Sequence, residues 1–342
     1  MQNTKRHTIL FLILTLGMLF LFVLNISLGS VSIPFKEVFK SLIGESASKE
    51  TWQYIILNYR LPKAITAILA GMGLSVSGLL MQTLFRNPLA GPYVLGLSSG
   101  SSLGVALIIM GAVFIPAFSA SLLLSSYSIV IASCLGSFLV LLAVLFVSHR
   151  LRDTMSILIV GLMFGSFTTA FVGVLTYFSS AEQLQKFTFW SMGNIGNLSW
   201  TAIVILSVAV FIGLVLSIFS IKPLNALLLG ENYAKSLGIN YKKSQLIIIF
   251  ATSILAGSIT AFAGPIAFIG LAVPHIAKLS FQSSNHTVLF WSTLLFGAII
   301  MLICDIFTQI PGSDITLPIN AITSIIGAPI VIWLLVRKKN FR

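Results

Sequence analysis

The sequence offers little material for acid–base or ion-coupled chemistry. Its long apolar segments contain essentially one carboxylate, Asp305, and no second carboxylate faces it for paired acid–base chemistry. A charge at membrane depth is costly unless it is paired or used. Asp305 is therefore either an ion-coupling group or an acid that is bonded to a helix end or a neighbouring polar group, and we favour the second interpretation.

Motifs for catalysis or nucleotide binding are not found in the sequence. The four histidines form no His-Glu-x-x-His pair, and Cys134 and Cys304 each lie within an apolar run, which favours core packing. Residues 230–236 end in Lys-Ser but lack the glycine that precedes the lysine of a phosphate-binding loop. We therefore expect no catalytic residue, no metal site and no cofactor, and any ATP hydrolysis would take place in a separate subunit.

Composition identifies the surrounding solvent as lipid. Of 342 residues, 57% are hydrophobic and 8% are charged, whereas a soluble domain carries about 25% charged residues. Apolar runs recur at the length of roughly 20 residues that a helix needs to cross a bilayer. The sequence predicts an all-α membrane protein of about ten spans. They lie near 9–28, 62–84, 94–114, 123–147, 156–177, 200–220, 244–263, 266–280, 288–309 and 318–336.

The distribution of basic residues predicts the orientation. The formal net charge is +12, but the lysines and arginines form short clusters between apolar runs. This pattern is typical of topology signals and does not indicate a nucleic-acid partner. Most basic residues lie on the inner side if both termini are cytoplasmic, which requires an even number of spans. We therefore expect a multi-pass protein of the bacterial cytoplasmic (inner) membrane, with the lipid bilayer as its surroundings.

Two short echoes suggest an inverted repeat between spans 2–5 and 7–10. Residues 68–71 (ILAG) recur at 254–257, and residues 90–92 (AGP) recur at 263–265. The two echoes need different offsets, and apolar sequences match easily by chance. An inverted repeat and a chance match are therefore equal alternatives. In either case we expect a single transmembrane domain that spans 1–342.

Small residues within the spans have two interpretations. Glycines and serines cluster in the second span, and Gly161 and Gly165 form a pair four residues apart in the fifth. Such residues allow helices to approach closely, which we favour. The alternative is a polar pathway lining, for which Ser166, Thr168 and Thr169 are the candidates.

The largest inner loop, about 221–243, is more than a polar linker. Leucines and alanine recur in it at helical spacing, and Gly230 and Gly238 divide it into two short amphipathic helices. Such helices either lie in the lipid interface or dock into a groove on a cytoplasmic partner.

Five blocks in this chain resemble the permeases of the iron-siderophore, haem and cobalamin (type II) ABC importers. Residues 227–238 (LLLGENYAKSLG) are similar to the coupling loop of that family. Residues 60–63 (RLPK) and 81–90 (MQTLFRNPLA) resemble the start and end of its second span. The other two blocks are 264–275 (GPIAFIGLAVPH) and the carboxyl-terminal pair 317–319 (LPI) and 327–329 (GAP). The blocks lie in family order and cover nearly the whole chain from Arg60 onward.

The resemblance implies a fold of about ten helices and a set of partners. Family members pair with a second permease chain, here expected to be a second copy, above a cytoplasmic ABC ATPase dimer. An extracytoplasmic substrate-binding protein delivers the cargo, and Arg60 and Lys63 would face outward to pair with its carboxylates. The ATPase-coupling residues would be Leu224, Leu227, Leu228, Gly230, Glu231, Ala234, Leu237 and Gly238.

The resemblance also implies a gate and a mechanism. Thr154 and Met155 stand where similar permeases have the cytoplasmic gate, and Gln309 stands where the family often has a further basic residue. We expect import of a metal chelate (ferric siderophore, haem or cobalamin, with an iron chelate favoured) by alternating access, driven by ATP hydrolysis in another subunit. An ion-coupled secondary transporter is the alternative.

Overall fold

The computed structural model describes residues 2–31, 33–111, 126–148, 154–196, 198–309 and 316–339. Within them the chain is all-α, with one isolated antiparallel bridge between Gln309 and Thr316. The predicted all-α class is confirmed.

The structure describes fourteen α-helices, one π-helical turn and one 3₁₀ turn in the residues given above. In chain order they are α1 (Gln2–Ser27), α2 (Phe35–Ile43), α3 (Glu50–Ile55), a π-helical turn (Ile56–Arg60), α4 (Leu61–Leu84), a 3₁₀ turn (Pro92–Leu95), α5 (Leu97–Ile109), α6 (Ser126–Ser148), α7 (Thr154–Tyr177), α8 (Ala181–Ser191), α9 (Trp200–Leu227), α10 (Glu231–Ser236), α11 (Tyr241–Ala263), α12 (Ile269–Phe281), α13 (His286–Thr308) and α14 (Ile319–Lys339).

The helices agree with the predicted spans. In the part of the chain that the structure describes, seven helical segments are long and apolar enough to cross a membrane, and α5, α12 and the segment Ile319–Trp333 of α14 are shorter apolar helices. Each of these ten overlaps one predicted span. The largest differences in the boundaries are two: the second span belongs to one continuous segment, Glu50–Leu84, and the sixth runs on to Leu227.

The chain divides into two compact units. The first comprises Met1–Leu79, Asn194–Val208 and Ile266–Arg342, and the second comprises Leu80–Gly193 and Ala209–Pro265. Neither unit is a contiguous half of the sequence. The inverted repeat stays a prediction.

The first unit is built on glycine contacts along α4. A Cβ added at Gly71 would lie 2.2 Å from the carbonyl oxygen of Gly297, and one at Gly78 would lie 1.8 Å from that of Gly270. The backbone of α4 therefore touches the backbones of α13 and α12 directly. The prediction that these small residues serve close helix packing is confirmed.

The second unit packs α5 against α6, α7 and α11. A Cβ at Gly100 would lie 2.5 Å from the carbonyl oxygen of Gly136, and Ser137 donates to the carbonyl of Leu97 at 3.0 Å. Gly161 also serves packing, because its carbonyl lies 2.9 Å from a Cβ placed on Gly96. Cys134 on α6 is exposed, so the expectation that it packs in the core is wrong, while Cys304 is buried.

Candidate functional site

A buried ion pair joins the start of α4 to the end of α13 in the first unit. Lys63 lies in the first turn of α4, and Asp305 lies in the last turn of α13. The Nζ of Lys63 is 2.9 Å from Oδ1 of Asp305, whose side chain is completely buried. The pair attracts strongly in this apolar setting, yet the desolvation of both charges offsets much of that gain.

Two further side chains form hydrogen bonds around the ion pair of Lys63 and Asp305. Asn25, near the end of α1, donates to Oδ2 at 2.9 Å. Thr308 receives a hydrogen bond from Lys63 Nζ at 3.3 Å, and its hydroxyl bonds the backbone carbonyl of Asp305 at 2.7 Å. Both carboxylate oxygens therefore have partners. The interpretation of Asp305 as an acid satisfied by neighbouring polar groups is confirmed, and support for an ion-coupling role is lost.

Arg60, at the end of the π-helical turn, binds the carboxyl end of α1. Its guanidinium donates to the carbonyls of Ile26 at 3.0 Å and Ser27 at 2.9 Å, and also to that of Val31. The last carbonyls of a helix carry partial negative charge and have no partners within the helix. Arg60 is 7% exposed, so its guanidinium is occupied by hydrogen bonds within the chain.

Gly29 and Gln309 fit around these two cations. A Cβ on Gly29 would lie 2.6 Å from Nη2 of Arg60, so a side chain at this position would displace the guanidinium. With its amide oriented to satisfy both neighbours, Gln309 donates to the carbonyl of Leu28 at 3.1 Å and accepts from Lys63 Nζ at 3.0 Å. The residue that stands where the family often has a cation thus serves as a neutral hydrogen-bonding bridge.

The predicted coupling segment has one short helix where the sequence suggested two. Residues Leu224 and Leu227 belong to the last turns of α9, which continues through Pro223. A turn at Gly230 then leads into α10, and a second turn at Gly238 leads to α11. The expectation of a separate first amphipathic helix is wrong, because the apolar period of α9 simply continues into the loop.

The apolar residues of this segment divide into an inner and an outer set. Leu227 and Ala234 are buried together with Ala226, and Ile239 and Tyr241 pack against them. Leu224 is also buried. The outer set is exposed by 51–65% of its surface and consists of Leu228, Leu229, Tyr233 and Leu237, which we call the coupling patch.

Both glycines of the segment are required by backbone conformation. Gly230 has φ +110° and Gly238 has φ +78°, a region that residues with a side chain seldom adopt. A Cβ at either position would meet nothing within 4 Å. A side chain would therefore have room at both positions, and it is the positive φ angle of each turn that favours glycine. The side chain of Glu231 lies outside what the structure describes.

The predicted gate and pathway residues lie on α7. Thr154 and Met155 form its first turn, and their side chains lie outside the described part. Thr168 is buried, whereas Ser166 and Thr169 are exposed. All three hydroxyls donate to carbonyls of their own helix, at distances of 2.8–3.1 Å. Their role in a pathway stays a prediction.

A family model described as the FecCD transport family matches residues 17–337. The chain belongs to the FecCD transport family. The resemblance seen in the five sequence blocks is confirmed over nearly the whole chain.

Named relatives of this FecCD-family chain include two permeases. It is 34% identical to the hemin transport system permease protein HmuU of Yersinia pestis, over 96% of this chain and 97% of that protein. It is 33% identical to the vitamin B12 import system permease protein BtuC of Vibrio parahaemolyticus, over 94% and 93% of the two chains.

A solved structure shares the fold. It is an inward-facing metal-chelate-type ABC transporter, matched with a TM-score of 0.83 and 28% identity over 96% of this chain and 99% of that chain.

Sequence reasoning missed part of each site in this family member. Leu229 and Tyr233 of the coupling patch were not singled out, although their positions beside Leu228 and one turn after Gly230 place them on the solvent side. Asn25 was missed as well. Its signal is an amide near the end of the apolar run of the 26-residue helix α1.

Proposed function

We propose that this FecCD-family chain is the membrane-spanning permease subunit of an ATP-driven importer. It carries a metal chelate into the cytoplasm by alternating access. Relatives named for hemin and vitamin B12 transport match it over nearly their full length. Among chelates, an iron chelate is the favoured cargo, because HmuU is named for hemin. ATP is hydrolysed in a separate subunit.

The coupling patch is the observation that carries this proposal. Leu228, Leu229, Tyr233 and Leu237 are exposed on the turns between α9 and α11. Tyr233 lies on the short helix α10, which Ala234 anchors to the core, and the other three residues lie in the turns on either side of it. Exposed apolar and aromatic side chains on a rigid support are what a partner's groove binds. A pair of cytoplasmic ATPase subunits would receive this patch and transmit its motion to α9 and α11.

The remaining partners follow from the same assignment. A second copy of the chain would complete the translocation pathway, with both termini in the cytoplasm and the protein in the bacterial inner membrane. An extracytoplasmic binding protein would dock near Arg60 and Lys63. Because both cations already have partners within the chain, docking through them requires that those contacts be shared or exchanged.

The test compares the native chain with charged variants of the coupling patch. The chain is purified in mild detergent from its own membrane, and co-purifying proteins are identified. Leu229→Asp and Leu237→Asp should lose a P-loop ATPase that accompanies the native chain. Leu184→Asp, at an exposed leucine of α8, is the matched control and should retain it. An ATPase retained by all variants, or absent from the native preparation, would contradict the assignment.

Transport is tested in vesicles that contain the complete complex. Uptake of labelled ferric siderophore, haem and cobalamin is compared with ATP present, with ATP absent, and with an ionophore that collapses ion gradients. The proposal expects ATP-dependent uptake that resists the ionophore. Uptake without ATP that the ionophore abolishes would instead indicate an ion-coupled secondary transporter.

A further inference from the structure

The short helix α2 buries polar side chains and exposes apolar ones, which is the opposite of what is expected for a helix in water. Its inward face carries Glu37 and Ser41, which are 7% and 4% exposed, beside the fully buried Val38. Its outward face carries Phe35, Phe39 and Ile43, which are 48%, 59% and 62% exposed. These three side chains recur every four residues and form one apolar stripe along the helix.

Specific contacts hold α2 in this orientation. The carboxylate of Glu37 accepts a hydrogen bond from the backbone N–H of Ser48 at 2.7 Å and pairs with Lys40 at 3.7 Å. Gly44, in the left-handed conformation, ends the helix and donates its N–H to the carbonyls of Lys40 and Ser41. The outward direction of the stripe is thus fixed by polar contacts on the opposite face.

The position of α2 places the stripe at a membrane surface. α1 is long and apolar enough to span the bilayer and ends at Ser27. α2 follows after a short connection and contacts both α1 and the π-helical turn. Tyr54 of α3 and Tyr59 of that turn are exposed, with their rings 5.9 Å apart. Exposed tyrosines at the end of a span are typical of the headgroup level.

We propose that α2 lies in the lipid interface, with Phe35, Phe39 and Ile43 inserted at the boundary of headgroups and acyl chains. Lys36 follows the stripe residue Phe35 by one position, about 100° around the helix, and is exposed. It therefore lies beside the stripe, where it binds the phosphates of anionic lipids, whereas Lys40 stays paired with Glu37. This helix anchors the connection between the first two spans and fixes the depth of the α1 end.

The size of the stripe favours lipid over a protein partner. A helix of nine residues is about 14 Å long and about 10 Å wide, which gives a face of about 140 Å². A specific protein interface buries about 800 Å² on each partner. The stripe alone is too small for such an interface, whereas lipid needs no minimum contact area.

Site-directed spin labelling tests the proposal on the full-length chain. Single cysteines replace Phe35, Phe39, Ile43 or Lys36 in a background that carries Cys134→Ser and Cys304→Ala. The labelled chains are reconstituted without partners in vesicles of phosphatidylcholine and phosphatidylglycerol. Accessibility to oxygen, which partitions into lipid, is compared with accessibility to a water-soluble nickel chelate. Gln185→Cys is the aqueous control, because it lies on α8 beside the exposed ion pair of Glu182 and Lys186.

The stripe positions should be accessible to oxygen and protected from nickel, whereas positions 36 and 185 should be accessible to nickel. Nickel access at the stripe equal to that at position 185 would overturn the proposal and leave the surface free for a binding protein. Protection from both reagents would also overturn it, because it would show that a second copy covers the stripe.

A charge variant tests the contact of Lys36 with anionic lipids separately. With a spin label at position 39, Lys36→Glu should lower the ratio of oxygen to nickel accessibility in vesicles that contain phosphatidylglycerol. In pure phosphatidylcholine the same change should have a smaller effect. An equal effect in both lipids would overturn the assignment of Lys36 to anionic headgroups.

Discussion

Lys63 Nζ lies 2.9 Å from Oδ1 of Asp305, and this ion pair connects α4 to α13. The carboxylate is completely buried, while the lysine side chain retains 17% exposure. Asn25 adds a hydrogen bond from α1 at 2.9 Å. Three helices that are far apart in sequence thus meet at one charge pair.

We expect removal of either partner of this pair to destabilise the chain strongly. Lys63→Met leaves Asp305 buried without a cation, and loss of one partner from a buried pair costs about 3–5 kcal/mol. The double variant Lys63→Met with Asp305→Leu should lose less than the sum of the two single variants. The free energy of unfolding in mixed micelles measures this coupling. Additive losses would show that the two side chains do not interact.

The glycine contacts of α4 give a second prediction. Gly78→Ala places a Cβ 1.8 Å from the carbonyl oxygen of Gly270, a backbone atom that cannot move aside. We expect the helices to separate, with a cost of at least about 1–3 kcal/mol and a lower melting temperature in detergent. Gly173→Ala, where nothing lies within 4 Å, is the control and should be neutral or mildly stabilising. Equal melting temperatures for both variants would contradict the contact.

Local pattern predicted the spans well but not the partners across them. Ten apolar segments were recognisable because lipid imposes a length and a composition on each helix. The partner of Asp305 was not predictable, because Lys63 lies far from it in the sequence and many basic residues could have taken its place. Only the packing of α4 against α13 selects it.

The coupling segment shows a second limit of sequence patterns. Helical spacing marked Leu224, Leu227, Leu228 and Leu237 together, although the first two are buried and the last two are exposed. Helical spacing identifies apolar residues that share one face of a helix. Where both sides of a segment are apolar, the spacing does not show which residues are buried in the core and which are exposed for a partner. The left-handed turns at Gly230 and Gly238 decide which side chains point outward.

Gly238 provides a test of those turns. We expect Gly238→Ala to cost about 1–2 kcal/mol, because its φ of +78° is unfavourable for a residue with a Cβ. Gly238→Asn should cost less, since asparagine tolerates this conformation. Co-purification of the ATPase should decrease in the same order. Gly44→Ala carries similar strain at φ +88° outside the coupling segment, and should leave ATPase association unchanged. Equal loss with Gly44→Ala would show that the effect is global instability.

The loop after α2 should loosen at acidic pH. Hydrogen bonds from Ser48, aided by Lys40, lower the pKa of Glu37 below its ordinary value of 4.5, although partial burial opposes them. A lowered pKa means that the contact is fully present above pH 4.5 and is lost as pH falls through the folded-state value. A spin label at Ser46→Cys should therefore become more mobile only below pH 4.5. In the Glu37→Gln variant its mobility should not depend on pH, and a titration that persists in this variant would contradict the assignment.

A substitution at Arg60 distinguishes its structural role within the chain from a role in docking the binding protein. Its guanidinium donates to the last two carbonyls of α1 and to the carbonyl of Val31 in the following connection, and a lysine ammonium cannot reproduce that planar geometry. Because buried carbonyls would lose their donors, we expect Arg60→Lys to lower the free energy of unfolding by about 1–3 kcal/mol.

Arg86→Lys is the matched control for this prediction. Its guanidinium makes one long, half-buried contact of 3.5 Å with the carbonyl of Leu227, so the change should have little effect on stability. Melting temperature and affinity for the binding protein are measured on the same nanodisc samples. If Arg60→Lys weakened binding while the melting temperature stayed unchanged, the guanidinium would have to leave the α1 carbonyls and reach the partner. The cap on α1 would then be only one of two states of this side chain.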